Sequence, residues 1–343
     1  MKRKAWLPAA LVAAAGAGVA LASGLGLAFG GGPQVAGPGL AALGDPARCA
    51  AYAGLPPLWG HDAHAGMVRL PAGRFVFGSR RGYADERPAD APAEKVAAFW
   101  IDQTEVTNRQ FADFVAATGY VTEAEREGGA VVFHQPTAEE LGARAYAWWS
   151  YVRGADWNHP GGPGSSRAGL DNQPVTLVTE ADALAYARWL GRDLPTEAEW
   201  EYAAKAGRED AALDEAPRDA VGRPTANYWQ GAFPVLNTGA DGHDGLAPVG
   251  CYAANGWKLY DMIGNAWEWT RDPYTGAHQG HANGDTASVA AASRLSKPGQ
   301  AMVIKGGSFL CSQDFCVRYR AAAREAQEGN LPATHIGFRT VRG

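Results

Sequence analysis

The segment LPTEAEWEYAAKAG, residues 194–207, contains a complete signal for one short helix. Thr196 and Glu199 stand at the spacing of a capping box, in which each side chain accepts a hydrogen bond from the other residue's main-chain N–H. Gly207 is a residue type that commonly ends helices, because glycine adopts the left-handed backbone conformation without a steric cost. The segment therefore predicts a helix that begins at Thr196 and is ended by Gly207.

Two further helices are predicted upstream by the same kind of signal. In residues 107–119, a threonine and a glutamine stand at capping-box spacing, three apolar residues form one face, and a glycine follows. The other helix extends from about residue 179 to residue 190 and is closed by Gly191. Each of these helices is short, so the chain needs other elements to bury a core.

Short apolar runs predict the strands. Residues 67–77 (MVRLPAGRFVF) predict a hairpin with its turn at 71–73, and residues 99–101 and 302–304 are further strand candidates. Beyond residue 207, periodicity gives way to Gly, Asn, Asp and Trp. We find no internal repeat, so the prediction is a single irregular α+β domain with low regular secondary structure, spanning 67–343.

Composition limits the classes of function. The chain has 343 residues, 46% of them hydrophobic, and a net charge of -5 without basic blocks. A chain of this length and apolar content can fold into a globular core, whereas the charge pattern argues against a nucleic-acid partner. Its 44 glycines, 21 prolines and 12 tryptophans predict many turns that are held by aromatic packing.

The N-terminus predicts export. Basic residues at 2–4 are followed by an uncharged apolar run at 5–29, with a small-residue cleavage pattern at 20–22. Residues 1–29 are therefore interpreted as a signal peptide or, if uncut, as a membrane anchor. Residues 30–66 are interpreted as a linker and an N-terminal extension. The expected location is exported, either periplasmic or secreted, with a possible tether through the N-terminal segment.

Four cysteines in an exported chain permit disulfides in three connectivities. Cys311 and Cys316 are five residues apart, a spacing that separates two side chains on a regular helix or strand, so the chain must turn for the sulfurs to meet. Such a loop can close a disulfide, or it can present two thiolates to one soft metal ion such as Cu(I). Spacing alone favours the disulfide.

The surrounding sequence shifts the preference from a disulfide to a metal site. The segment GGSFLCSQDFCVRYRAAAR, residues 306–324, resembles the active-site signature of the aerobic, copper-dependent formylglycine-generating enzymes, also called sulfatase-modifying factors. Further similar segments occur in the same order at 154–166, 194–207, 226–242, 259–270 and 336–339. The resemblance extends from about residue 67 to residue 342 and implies an irregular domain of the formylglycine-generating enzyme and C-type-lectin-like type.

The resemblance implies a copper oxidase. Cys311 and Cys316 would bind Cu(I), the substrate cysteine would add a third sulfur, and O2 would convert that cysteine to formylglycine in an extended or unfolded sulfatase peptide with the motif Cys-x-Pro-x-Arg. Ser308 corresponds to an active-site serine, although a serine that only forms a turn is an alternative. The resemblance also implies substrate contacts for Trp267, Trp157 and His159.

The resemblance further implies two structural calcium sites built from hard oxygen donors. The alternative is that these residues only cap turns. One site would use the side chains of Asn227 and Asp241 with the carbonyls of Tyr228 and His243, and the other would use the side chains of Asp261 and Glu268 with the carbonyls of Gly264 and Ala266.

Alongside the resemblance, we expect a structural disulfide between Cys49 and Cys251 that ties the N-terminal extension to the core. The chain departs from the family by having Ala187 and Ala204 where animal members have disulfide cysteines. It also has Phe315 where a tyrosine is familiar, so substrate preference can differ.

Weaker candidates and other functions complete the sequence interpretation. His278 and His281 have ligand-like spacing but lie in a Gly/Ala-rich stretch, and His61 and His64 lie in the N-terminal extension, so surface positions are favoured for all four. The alternative functions are a non-catalytic binding module and an iron-dependent oxidase of sulfur metabolism. The module would have an inert disulfide at Cys311 and Cys316, and the iron enzyme would need a histidine-rich triad.

Overall fold

The computed structural model describes residues 43–88, 93–276 and 299–343. Short elements alternate with long irregular segments, which confirms the predicted α+β class with low regular secondary structure. In the described residues the helices are α1 Pro46–Ala51, α2 Asn108–Thr118, α3 Glu123–Glu127, α4 Ala138–Ala143, α5 Glu180–Trp189 and α6 Glu197–Lys205. The strands are β1 Met67–Leu70, β2 Gly73–Phe75, β3 Glu94–Val96, β4 Phe99–Asp102, β5 Gly129–Phe133, β6 Trp149–Arg153, β7 Trp267–Pro273, β8 Ala301–Lys305, β9 Arg324–Glu328, β10 Ile336–Gly337 and β11 Val341–Arg342.

Capping boxes begin the three predicted helices. The Thr107, Thr179 and Thr196 hydroxyls each accept a hydrogen bond from the main-chain N–H three residues later. Helix α2 ends at Gly119 in the left-handed conformation, as predicted. Helix α6 ends earlier than predicted, because Ala206 already adopts that conformation with φ 47°.

The predicted hairpin at 67–77 is wrong. Strand β1 pairs antiparallel with β4, and β2 pairs with β3, so the two halves of the segment join different sheets. The physical reason is that partners elsewhere in the chain, β4 for β1 and β3 for β2, complete the main-chain hydrogen bonds of the two halves. The neighbouring prediction at 99–101 is confirmed as β4, and that at 302–304 as β8.

Two sheets frame the core. Strand β4 is the centre of the order β1-β4-β11, and the larger sheet has the order β10-β7-β8-β9. The main core is aromatic: Phe111 on α2 lies 5.9 Å from Tyr186 on α5 and 6.4 Å from Phe338. Strand β8 leads directly into the 306–324 segment, so the larger sheet fixes the start of the candidate site.

Buried ion pairs stabilise the segments that lack regular structure. The fully buried Arg339 guanidinium contacts both carboxylate oxygens of Glu268 at 2.7 Å. Lys305 on β8 is equally buried and lies 2.9 Å from the Glu201 carboxylate on α6. Removing one partner of such a pair costs about 3–5 kcal/mol, because the other charge is left buried and unpaired.

Cys49 and Cys251 form a disulfide, as predicted. The bond fastens α1 to the core, where the Asn172 amide donates to the Cys49 carbonyl and Gly44 donates to Gly250. The N-terminal extension is therefore packed against the domain from residue 43 onward.

None of the helices in the described ranges combines the length and apolar character that a bilayer crossing requires. The predicted export segment lies outside the described residues.

Candidate active site

Two glycines direct the chain from β8 into the loop that carries both free cysteines, residues 308–316, here called the thiol loop. Gly306 and Gly307 have φ angles of 93° and 78°, which side-chain-bearing residues rarely adopt. A Cβ on Gly307 would lie 2.6 Å from the Arg318 carbonyl oxygen, so only glycine fits there. The GGS sequence is thus explained by a sharp turn against neighbouring backbone.

The thiol loop folds so that the two sulfurs meet. Cys311 and Cys316 are unbonded, with Sγ atoms 3.3 Å apart. Ser312 closes the turn: its carbonyl accepts the Cys316 N–H at 3.1 Å, and its hydroxyl accepts the Phe315 N–H at 3.1 Å. Cys311 is buried and Cys316 is half-buried, so Cys316 is the thiol open to an incoming molecule.

The two thiols have different acidities. Burial favours the neutral form of Cys311, but hydrogen bonds from Cys316 and from main-chain groups outweigh it and hold the pKa of Cys311 below its ordinary value. The pKa of Cys316 is raised, because its proton is shared with Cys311 and because it is itself desolvated. Of the two thiols, Cys311 therefore loses its proton more readily.

Ser308 lies at the start of the thiol loop and is fully buried. Its carbonyl accepts the Cys311 N–H at 3.0 Å, and its hydroxyl accepts the Leu310 N–H at 3.3 Å. The serine thus holds the main chain of Cys311 in the turn and retains a hydroxyl proton that can be donated.

The predicted aromatic contacts divide into two groups. Trp157 and Trp267 belong to the same buried cluster as Cys311, and the Trp157 indole N–H is buried without a hydrogen-bond partner. His159 does not join them; its ring nitrogen lies 3.2 Å from the Asp156 carboxylate at the surface. An unpartnered buried donor in the cluster that contains Cys311 is a feature that a bound molecule can satisfy.

Sequence analysis did not single out His335. Its carbonyl accepts the Trp267 N–H at 2.9 Å, and its ring lies 4.7 Å from that of Trp149. Nδ1 is buried with no hydrogen-bond partner, and desolvation lowers the pKa of the imidazole to about 3. No sequence signal indicated this position, because the histidine meets Trp267 on β7 and Trp149 on β6 only in the folded chain.

Tyr83 is a second residue that sequence analysis missed. Its hydroxyl accepts the Val317 N–H at 3.2 Å, directly after Cys316, and the Arg318 guanidinium lies 4.5 Å from its ring centroid. The tyrosine therefore braces the C-terminal end of the thiol loop. It lies more than 200 residues away in sequence, so spacing gave no indication of the contact.

An exposed aromatic surface adjoins Cys316. Phe315 is 50% exposed and stacks on Phe233 at 4.5 Å with an interplanar angle of 15°. The Trp148 ring meets both rings edge-on, at 5.4 Å from Phe315 and 5.3 Å from Phe233. The departure from the familiar tyrosine is thus accommodated by aromatic packing at the entrance to the thiol pair.

The first predicted calcium site lies in the 227–243 loop. The side-chain amide nitrogen of Gln230 hydrogen-bonds both to the Tyr228 carbonyl and to Asp241 Oδ2, so these two oxygens converge on one point. The Asn227 amide nitrogen donates to the Gly245 carbonyl, which leaves its side-chain oxygen for other partners. At His243, the main-chain N–H donates to Asp241 Oδ1 at 3.0 Å. Tyr228 and Asp241 thus bring together two hard oxygens of the type that a calcium ion requires.

The second predicted site, in the 261–268 loop, carries excess negative charge. Burial and the neighbouring Glu268 raise the pKa of Asp261 to about 6, although the Gly250 N–H donates to its carboxylate. Glu105, which sequence analysis missed, is fully buried beside them; desolvation and Asp261 raise its pKa well above the ordinary value. Its Oε2 has no partner. Three carboxylates against Arg339 leave an imbalance that a divalent cation would neutralise.

Across the described ranges, no three His, Cys, Asp or Glu side chains alone surround a common metal position, so both calcium sites would depend on main-chain carbonyls such as those of Gly264 and Ala266. Of the weaker candidates, His64 stacks on Trp100 at 4.3 Å and His61 is exposed. His278 and His281 lie outside the described residues.

Comparisons with known proteins show which family and which fold the chain resembles. Residues 58–343 match the sulfatase-modifying factor enzyme 1-like domain. The chain is 44% identical over 286 residues to the formylglycine-generating enzyme of Thermomonospora curvata, covering 80% of this chain and 92% of that protein. It is 36% identical over 291 residues to the inactive C-alpha-formylglycine-generating enzyme 2 of Mus musculus, covering 82% and 86%. In fold it resembles PvdO from Pseudomonas aeruginosa, with a TM-score of 0.54, 23% identity and coverage of 81% and 95%.

Proposed function

We propose, from the premise that this chain belongs to the family of sulfatase-modifying factor enzyme 1-like proteins, that it oxidises a cysteine of a sulfatase peptide to formylglycine. The substrate would carry the motif Cys-x-Pro-x-Arg in an extended or unfolded segment, and the modification would activate the sulfatase. One observation carries the proposal: the sulfurs of Cys311 and Cys316 lie 3.3 Å apart and unbonded at the end of a buried aromatic cluster.

The donor set supports Cu(I) as the cofactor. Two sulfurs are soft ligands that favour Cu(I), and the lowered pKa of Cys311 favours its binding as a thiolate. When bound, Cu(I) would supply one-electron chemistry toward O2 and a soft site for the substrate sulfur. The balanced conversion turns the methylene thiol of the substrate cysteine, O2 and two reducing equivalents with their protons from an external thiol into an aldehyde, hydrogen sulfide and water.

The protein's own residues would orient the substrate and exclude water. The half-buried Cys316 is the side from which a substrate thiol can approach. Trp157 and Trp267 belong to the buried cluster that contains Cys311, and these apolar surroundings would limit solvent access to the sulfurs. Ser308 fixes the Cys311 main chain and can donate its hydroxyl proton to bound oxygen or substrate. His159 would contact the substrate only from the rim.

Calcium would have a structural role. The Tyr228 and Asp241 oxygens that meet at Gln230 support one site, and at the 261–268 loop the unpartnered Glu105 oxygen and the raised pKa of Asp261 support a second one. Glu105 would be a buried carboxyl neighbour of the second site rather than a further ligand. A cation at each position would hold irregular backbone next to the thiol loop.

We also propose that the protein is exported, either free or tethered by its N-terminal segment. The disulfide between Cys49 and Cys251 supports an oxidising compartment, where such bonds form and persist. Of the alternatives, a non-catalytic module would have its remaining cysteines bonded, and an iron-dependent oxidase would need a histidine-rich site. The free thiol pair favours the copper enzyme over both.

The test uses the purified chain with Cu(I), Ca²⁺, a thiol reductant and a peptide containing Cys-x-Pro-x-Arg. We expect an aldehyde-bearing product by mass spectrometry in air. A matched peptide with serine in place of the cysteine, and the same reaction under nitrogen, should give none. Absence of aldehyde from the cysteine peptide in air would contradict the proposed function.

A further inference from the structure

Asn265 lies within the second proposed calcium loop and contacts the first calcium loop, the buried Glu105 and the thiol loop. Its side-chain nitrogen donates to Glu105 Oε1 at 2.9 Å, and its side-chain oxygen accepts from the Asn227 amide at 2.9 Å. Its main-chain carbonyl accepts the Phe309 N–H at 2.9 Å, two residues before Cys311. The three segments, far apart in sequence, thus meet at one amide side chain and its own backbone.

The surroundings allow this side chain one orientation. Asn265 is 1% exposed, and its side-chain oxygen also accepts the Ala247 N–H at 2.9 Å. Its backbone is left-handed, with φ 55°, a conformation that asparagine tolerates better than most residues. Reversing the amide would place a donor against two donors and an acceptor against a carboxylate, so the observed orientation is fixed.

The thiol loop is linked to the first calcium loop at a second point. The Cys311 carbonyl accepts the Trp229 N–H at 2.9 Å, and Trp229 lies two residues after Asn227. The position of Cys311 is therefore set from both sides by segments whose other ends would hold cations. Fixing those segments reduces the conformational freedom that the thiol loop must lose when the sulfurs converge on a metal ion.

We propose that Asn265 is a positioning residue that couples calcium binding to the geometry of Cys311 and Cys316. The inference rests on the proposed metal sites. It extends them because it concerns the effect of calcium binding on Cu(I) affinity and adds no new metal ligand. Calcium at the first loop would fix Asn227, and calcium at the second would fix the Gly264 and Ala266 carbonyls on either side of Asn265. Asn265 would transmit that restraint to Phe309, and the thiols would be preorganised for Cu(I). By linkage, Cu(I) would increase calcium affinity by the same factor.

The experiment measures Cu(I) affinity of the full chain by competition with a chromophoric Cu(I) chelator, without O2 and without peptide, in the presence and absence of Ca²⁺. For the wild type we expect Ca²⁺ to tighten Cu(I) binding by about 5-fold or more. Asn265→Gly removes the side-chain links while glycine accepts the left-handed backbone without strain. In that variant the calcium effect should fall to about 1-fold, which is its value when two sites are uncoupled.

Thr179→Ala is the matched control, because it destabilises the protein by removing the cap of α5 without touching Asn265. It should keep the wild-type calcium effect. A second measurement, the rate at which a thiol reagent labels copper-free protein, should depend on Ca²⁺ in the wild type and in Thr179→Ala but not in Asn265→Gly. These measurements need no turnover, so they are independent of whether aldehyde forms.

The outcomes separate positioning from general stabilisation. A calcium effect that disappears in Asn265→Gly alone supports the coupling. Calcium-independent Cu(I) affinity in the wild type, an unchanged calcium effect in Asn265→Gly, or its equal loss in Thr179→Ala would each overturn it.

Discussion

The sulfur atoms of Cys311 and Cys316 lie 3.3 Å apart and remain unbonded, while Cys49 and Cys251 form a disulfide in the same chain. The two pairs differ in what surrounds them. The disulfide joins an N-terminal helix to the core, whereas the free pair lies at the edge of an aromatic cluster, with one sulfur accessible. This contrast assigns a structural role to one pair and supports a chemical role for the other.

Cu(I) affinity should rise with pH. Thiolates are the ligands, so protons compete with the metal, and the raised pKa of Cys316 keeps one proton on the pair through neutral pH. We expect about a tenfold gain in affinity per pH unit for each proton displaced, between about pH 6 and about pH 9. Chelator competition at several pH values checks this. Affinity that stays flat over that range would contradict the assigned protonation.

Removing the disulfide should destabilise the domain without affecting the thiol loop. The bond closes a loop with a sequence separation of 202, so its loss frees the unfolded chain and should cost about 2–5 kcal/mol. Urea unfolding of the double variant Cys49→Ala, Cys251→Ala measures this. Added reductant should destabilise the wild type and leave the double variant unchanged, whereas equal stability of the two proteins without reductant would show that the bond contributes nothing.

His335 should make the fold sensitive to acid. Its folded pKa of about 3 lies below the unfolded value near 6.5, so the unfolded state binds the proton first and stability falls as the pH drops through that window. The expected slope is at most ~1.4 kcal/mol per pH unit. Unfolding free energies of the wild type and His335→Gln at pH values within the window isolate this contribution. Parallel curves for the two proteins would rule it out.

Phe315 should affect peptide binding more than the chemical step. The ring is exposed beside Cys316 and is stacked on Phe233, so it offers a preformed apolar contact. Phe315→Ala should raise KM by about 2- to 10-fold with little change in kcat, the range typical of one aromatic contact. Phe315→Tyr, which keeps the ring, is the control and should stay near wild type. A fall in kcat at constant KM would instead indicate a role in the reaction.

Features encoded by neighbouring residues were predictable from the sequence. The capping boxes at Thr107, Thr179 and Thr196 each require only a partner three residues away, and all three helices form. The hairpin failed because strand pairing is decided by partners elsewhere in the chain, which residues 67–77 alone do not reveal. Local signals therefore predicted where helices and strands form, but they did not predict which strands pair in a sheet.

The candidate site was predictable only in part. The spacing of Cys311 and Cys316 favoured a disulfide, and the family resemblance led to the free pair. Glu105 and His335 carried no signal, because their functional neighbours are brought together by tertiary structure; the amide that contacts Glu105 is 160 residues away. Such long-range contacts between polar groups leave no periodicity in the sequence.

The most direct test of the central claim is aldehyde formation by single-cysteine variants. Wild type, Cys311→Ser and Cys316→Ser are compared at equal folded concentration with Cu(I), a thiol reductant, air and the Cys-x-Pro-x-Arg peptide. If the two sulfurs act together on one metal ion, the wild type forms the aldehyde and each variant forms essentially none. Wild-type yield from either variant would contradict a reaction centred on the thiol pair.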